Sequence, residues 1–171
     1  PPKEVLTAFA AIAATREQLE IAGFDDTYFD LLKALRLPLT KGKIQENLQA
    51  VLNTLNNLMV GGQIRLDQNH FVFERSNQQY SMSQTAEGIK KIGIFDTLIR
   101  NRKLKTGSIL FIDEPEVNLH PKAIVVLVDM LFQMAQAGIQ IYIATHSYFV
   151  LKRFELLARL HNEPISLCSL S

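Results

Sequence analysis

An α/β fold is predicted for this chain, with a parallel sheet in its last third, a mostly helical N-terminal segment and a β-hairpin between them. Three observations carry that prediction. Two short apolar runs, residues 108–112 and 139–144, flank an amphipathic stretch from Pro121 to about Ala137, and strand, helix, strand at this spacing implies a crossover between parallel strands. Residues 43–59 set Ile44, Leu48, Val51, Leu52, Leu55 and Leu58 on one stripe with Gln, Asn and Glu opposite, as an amphipathic helix does. Between these regions, residues 63–66 and 71–74 flank Asp67-Gln68-Asn69, a hairpin signal.

The elements follow in order. Residues 3–22 are expected to be helical, because Pro2 suits a first turn and Val5, Leu6, Phe9, Ile12 and Ala13 recur at three- and four-residue steps; Gly23 ends the helix. A short helix is expected near Asp26 to Leu35, then a turn through Leu37-Pro38-Leu39-Thr40-Lys41-Gly42. Gly61-Gly62 stops the helix of residues 43–59. After the hairpin come a polar segment around Ser76 to Ser83 and a helix from about Ala86 to Asn101. The run 108–112 ends in acids and reads as a strand buried on both faces, as does 139–144. Thr145-His146-Ser147 leads into a helix through Leu160, and Pro164 to Leu170 is read as a further strand. Residues 1–60 thus form a helical subdomain and residues 61–171 the remainder; no internal repeat is visible.

Composition narrows the function. Of 171 residues, 47% are hydrophobic, which supports a buried core and excludes wholesale disorder. Lys plus Arg is 18 against 17 Asp plus Glu, a net charge of +1, so the chain lacks the basic field of a dedicated nucleic-acid or membrane-surface module. Cys168 is the only cysteine, which excludes an intrachain disulfide and fits a reducing, cytoplasmic setting. The most apolar stretch, residues 123–134, is broken by Asp129 and Gln133 and falls far short of the roughly 20 residues of a membrane span. The start, Pro1-Pro2-Lys3-Glu4, reads as a cut through a longer chain.

The chemistry concentrates at two strand ends. Ile109-Leu110-Phe111-Ile112-Asp113-Glu114-Pro115 puts two carboxylates at the C-terminal end of a strand, where open parallel sheets bind ligands. Asp113 is suited to hold Mg²⁺, a hard ion that prefers oxygen ligands, and Glu114 to accept a proton from an attacking water. A solvent-facing acidic pair is the plain alternative. His146 follows the next strand, so neighbouring strands put it on the same rim, where a neutral imidazole can hydrogen-bond a terminal phosphate or the attacking water.

These residues resemble a known family. Residues 109–115 look like the Walker B segment of an ABC-type ATPase, Glu116-Val117-Asn118-Leu119-His120-Pro121 resembles its D-loop, and residues 141–147 resemble its strand and switch histidine. The likeness is to AAA-family ATPases with ABC-type heads, the group of the OLD nucleases and the SMC-like chromosome and repair proteins. It implies a partial P-loop NTPase fold, with residues 61–171 as the C-terminal part of the head. It also implies ATP and Mg²⁺ as cofactors and a homodimer closing around ATP, with nucleic acid or another protein as further partners. Asn118 then belongs to the nucleotide contacts. Thr85-Ala86-Glu87-Gly88-Ile89-Lys90-Lys91 resembles the signature loop, whose backbone N–H groups at a helix start bind the γ-phosphate held by the partner subunit. Ala86 stands where a Ser is usual and Glu87 where a Gly is usual.

The P-loop pattern G-x-x-x-x-G-K-[ST] is absent: Gly42-Lys43 is followed by Ile44, and Leu37 stands in the place of the first Gly. The resemblance therefore implies an incomplete head, with ATP hydrolysis a property of the intact protein. Two alternatives from other classes remain at this level. One is a metal-dependent nuclease using Asp113, Glu114, Glu116 and His120, and the other is a non-catalytic module that kept the head shape. The basic cluster Arg100, Arg102, Lys103 and Lys105 reads as a solvated loop rather than a DNA contact.

Overall fold

In the computed structural model, residues 2–14, 26–39, 42–68 and 70–168 are described. The chain is mixed α/β and divides into two compact units, Pro1–Lys105 and Thr106–Ser171. Among the described residues no helix is long and apolar enough to cross a membrane.

The first unit begins with α1 (Pro2–Thr7) and α2 (Phe9–Ala13), which replace the single helix expected over residues 3–22. The chain bends at Ala8 between them, and residues 15–25, including the expected stop at Gly23, lie outside the described residues. Val5, Leu6 and Ile12 are all buried, so the apolar pattern specified which side chains go inside and left helix continuity open. α3 (Asp26–Arg36) buries Leu32 and Leu35. In the turn that follows, Leu37 and Leu39 are exposed, and Thr40 and Lys41 are outside the described residues. α4 (Glu46–Leu58) buries Leu48, Val51, Leu52 and Leu55, the stripe read from the sequence. It ends at Met59, and the Gly61 N–H returns to the Asn56 carbonyl with Gly61 at φ +74°, a conformation glycine adopts freely.

The expected hairpin forms from β1 (Gln63–Asp67) and β2 (His70–Arg75), paired antiparallel with Ile64 opposite Phe73. It carries a third strand that the sequence reading placed in a polar segment: β3 (Gln78–Ser81) pairs with β2, Arg75 opposite Gln78. Ser76 and Asn77 form the two-residue loop, both at positive φ (51° and 61°), as a primed hairpin turn requires. All four β3 residues are exposed, so this edge strand lacks an apolar face to announce it. After one 3₁₀ turn (Met82–Gln84), α5 (Glu87–Arg100) runs through the middle of the unit, with its residues from Lys90 to Ile99 buried save Phe95. It packs against α1, α3, α4 and β1. At Gly93 an added Cβ would lie 2.2 Å from Ile64 Cδ1, so β1 approaches α5 through the missing side chain. The Asn101 amide donates to the Ala34 carbonyl (2.6 Å), tying the end of α5 to α3.

The second unit is the strand, helix, strand motif. β4 (Ile109–Asp113) and β5 (Gln140–Ala144) pair parallel, Asp113 opposite Ala144, with α6 (Pro121–Gln136) as the crossover and α7 (Tyr148–His161) following β5. α6 opens on His120, whose Nδ1 accepts the Lys122 N–H, and on Pro121 at the first turn. It closes at Gly138 (φ +88°), where the Gly138 carbonyl accepts the Gly107 N–H and the Thr106 hydroxyl donates to the Ala137 carbonyl. Val128 and Phe132 of α6 meet Val150 and Leu157 of α7 in a shared core, with Ile124 and Phe154 against it. A bidentate pair joins the same helices: Arg153 Nε and Nη2 donate to the two Asp129 oxygens, each at 2.7 Å. That hydrogen bonding raises the Arg153 guanidinium above its usual pKa.

Two expectations are corrected here. The strands are not buried on both faces: exposure alternates along each, and Phe111 is 75% exposed, with Ile109 and Tyr142 also open. A continuous apolar run is what a doubly covered strand shows, but among the described residues one face of this two-stranded sheet is left open. Phe111 and Tyr142 stack on that face with ring centroids 4.9 Å apart. Nor do residues 164–168 form a strand. α7 ends on Asn162 in the left-handed conformation (φ 54°), the described chain beyond it pairs with neither β4 nor β5, and residues 169–171 lie outside the described residues.

Candidate functional site

Parallel pairing carries β4 and β5 to the same rim, and the ladder continues one bond past the strands, from the Glu114 N–H to the Ala144 carbonyl (2.9 Å). Asp113 is the last residue of β4 and is exposed. At Glu114 the backbone turns into the left-handed region (φ 44°), which ends the extended alternation, and Pro115 behind it is buried. The Val117 N–H then returns to the Glu114 carbonyl (3.2 Å) and the Leu119 N–H to the Glu116 carbonyl (3.0 Å), giving two successive tight turns that lead into α6. Asn118, exposed, occupies the left-handed position in the second of them (φ 61°), which Asn tolerates.

The structure brings Glu114 and His146 together. His146 Nε2 lies 3.5 Å from Glu114 Oε1; the Glu114 side chain is 29% exposed and that of His146 is 98% exposed. The carboxylate is half enclosed and the imidazole projects into solvent, so one edge of the ring faces an acceptor and the rest is open to an incoming ligand. Flanking His146, the Thr145 hydroxyl donates to Glu116 Oε1 and accepts the Ser147 N–H (3.0 Å). Ser147 Oγ caps α7 by accepting the Val150 N–H (3.3 Å). This link between Glu116 and Thr145 was not read from the sequence. The residues are 29 positions apart, and the pairing of β4 with β5 together with the turns after Glu114 brings them together.

Two further sets of predicted residues are engaged in other contacts. Ala86, Glu87 and Gly88 are at the start of α5, in the first unit. Ala86 is the N-cap residue and makes no side-chain cap bond, and Glu87 Oε1 accepts from Lys90 Nζ at 2.8 Å. Glu116 and His120, which a nuclease-type metal set would need, are turned to Thr145 and to the cap of α6. Among the described residues no group of three or more His, Cys, Asp or Glu is gathered as a metal site. In the basic cluster, Arg100 Nε donates to Asp96 (2.8 Å) and Arg102 Nη2 to the Lys43 carbonyl (3.4 Å), both within the first unit.

A 43-residue segment is 44% identical to the Old nuclease of Escherichia phage P2; it covers 25% of this chain and 7% of the length of that relative. Residues 7–152, most of the chain, match the family described as "AAA domain, putative AbiEii toxin, Type IV TA system". The chain therefore belongs to this AAA domain family.

Proposed function

We propose that this chain carries the hydrolytic side of an ABC-type nucleotide site and that the intact protein binds and hydrolyses ATP between two head domains. The observation that supports this reading is the meeting of Glu114 and His146 at the mouths of adjacent parallel strands, 3.5 Å apart. Glu114 accepts the proton of the attacking water. Its carboxylate is enclosed enough to be held in place and open enough to be reached. His146 steadies the γ-phosphate through its open ring edge. The carboxylate of Asp113, exposed at the end of β4, would hold Mg²⁺, a hard ion that prefers oxygen donors and keeps part of its water shell. When bound, that ion neutralises charge on the phosphates.

The start of α5 supplies the contact to the partner's nucleotide: backbone N–H groups near Ala86, Glu87 and Gly88 face a γ-phosphate across a homodimer. Glu87 is an anion where a phosphate would sit, and its pairing with Lys90 reduces the repulsion. Asn118, on the D-loop turn, completes the nucleotide contacts. On this reading residues 1–60 are a helical subdomain, residues 61–171 the C-terminal part of the head, and the setting is cytoplasmic. Hydrolysis then separates the heads and moves whatever nucleic acid or protein they hold. The chain without a P-loop hydrolyses no ATP by itself.

The test is Glu114→Gln in the intact protein. Nucleotide binding is retained and steady-state turnover falls by about 10²–10⁴-fold, the usual contribution of a general base. Retained turnover would remove Glu114 from that role.

A further inference from the structure

The imidazole of His146 is the least supported side chain of the site. It is 98% exposed, so packing does not orient it, and its place beside Glu114 is set by the backbone of residues 145–147. That backbone is held by a relay of side chains. The Thr145 hydroxyl accepts the Ser147 N–H and, having one hydrogen to give, donates it to Glu116 Oε1. Ser147 in turn fixes the start of α7 through Val150. Glu116 stands within the two turns that begin at Glu114, whose carbonyl accepts the Val117 N–H. One side-chain pair therefore joins the loop that carries His146 to the turn that carries Glu114.

The choice of a carboxylate at position 116 has a cost that points the same way. Glu116 Oε2 is buried and has no hydrogen-bond partner among the described residues. A buried acceptor left unpaired is destabilising, so an apolar residue or a shorter polar one would suit the fold better. An ionised acceptor, however, gives the hydroxyl a stronger bond than a neutral one does.

We propose that Glu116 is a positioning residue: through Thr145 it sets the loop of residues 145–147 so that His146 meets Glu114. The inference rests on the ATPase reading for its effect on turnover, but the link itself can be measured without nucleotide. Hydrogen exchange of the Ser147 amide reads it directly. Glu116→Ala accelerates that exchange by about tenfold and leaves the amides of β4 and β5 unchanged. In the intact protein, Glu116→Ala and Thr145→Val each lower kcat by about tenfold or more with the KM for ATP within about twofold. Thr145→Ser, which keeps the hydroxyl, restores kcat, and the double variant Glu116→Ala with Thr145→Val is no slower than the worse single one.

Unchanged Ser147 exchange in Glu116→Ala would overturn the inference whatever the protein does with ATP. So would an active parent whose Thr145→Val variant keeps its kcat, or a Thr145→Ser variant as slow as Thr145→Val. A parent that hydrolyses no ATP yet shows the exchange effect would instead count against the ATPase reading and leave the structural link standing.

Discussion

Glu114 occupies a backbone conformation that a carboxylate-bearing residue pays for, and replacing it with glycine should make the protein more stable while removing its function. Its φ of 44° lies in the left-handed region, where a residue with a Cβ is strained by about 1–2 kcal/mol relative to one without. Glycine removes that strain but loses more freedom on folding, which returns about 0.5–1 kcal/mol. The side-chain contact given up is with an imidazole that is 98% exposed, and such pairs contribute little. The comparison that isolates the backbone is Glu114→Gly against Glu114→Ala, since both lack the carboxylate. Glycine should be the more stable of the two by about 0.5–1 kcal/mol, a rise of about 1–4 °C in the unfolding midpoint for a chain of this length. Thermal unfolding followed by circular dichroism measures it, and both variants of the intact protein should be inactive. A glycine variant melting at or below the alanine variant would show that no strain is stored at this position. The strain argument would then fail, because the left-handed turn that brings Glu114 to His146 would cost nothing.

Three further outcomes are expected. Arg153→Lys keeps the charge but not the fork that grips both Asp129 oxygens, and should lower the unfolding free energy by about 0.5–1 kcal/mol, read by urea denaturation against Asp129→Ala. Gly93→Ala forces a Cβ to within 2.2 Å of Ile64 Cδ1, and the overpacking should destabilise the first unit by about 1–3 kcal/mol despite the better helix propensity. The hydrogen bond and charge of Lys152, with Arg159 adding charge, hold the Glu155 carboxyl below its ordinary 4.5. Its contribution to α7 is therefore present above about pH 4.5 and is lost as pH falls through the lower folded value. Glu155→Gln should flatten that part of an acid titration followed by helicity, and an unchanged acid limb would contradict the assignment.

The parts of the fold legible in the sequence were those whose own periodicity implies burial. α4 announced itself by a stripe of Leu and Val, and β1 and β2 by alternation about a polar turn. The strand, helix, strand motif did so through apolar runs punctuated by Pro121 and Gly138. β3 stayed hidden because Gln78, Gln79, Tyr80 and Ser81 bury nothing; its only signal was Ser76-Asn77, a pair that does not advertise positive φ as Asn-Gly does. The split between α1 and α2 was equally invisible, since Val5, Leu6 and Ile12 reach the interior with or without a bend at Ala8. At the site, the nearness of Glu114 and His146 could be anticipated because parallel strands end at a common rim. The Glu116 and Thr145 pair could not, because it depends on how the turn after β4 folds back toward the loop after β5, which no local pattern encodes.

The central claim is that Glu114 and His146 act on one bound triphosphate, and a double-mutant cycle on ATP turnover by the intact protein tests it most directly. The account predicts strong non-additivity: Glu114→Gln combined with His146→Ala should be no slower than Glu114→Gln alone. Losses that multiply, as they do for residues working independently, would contradict it.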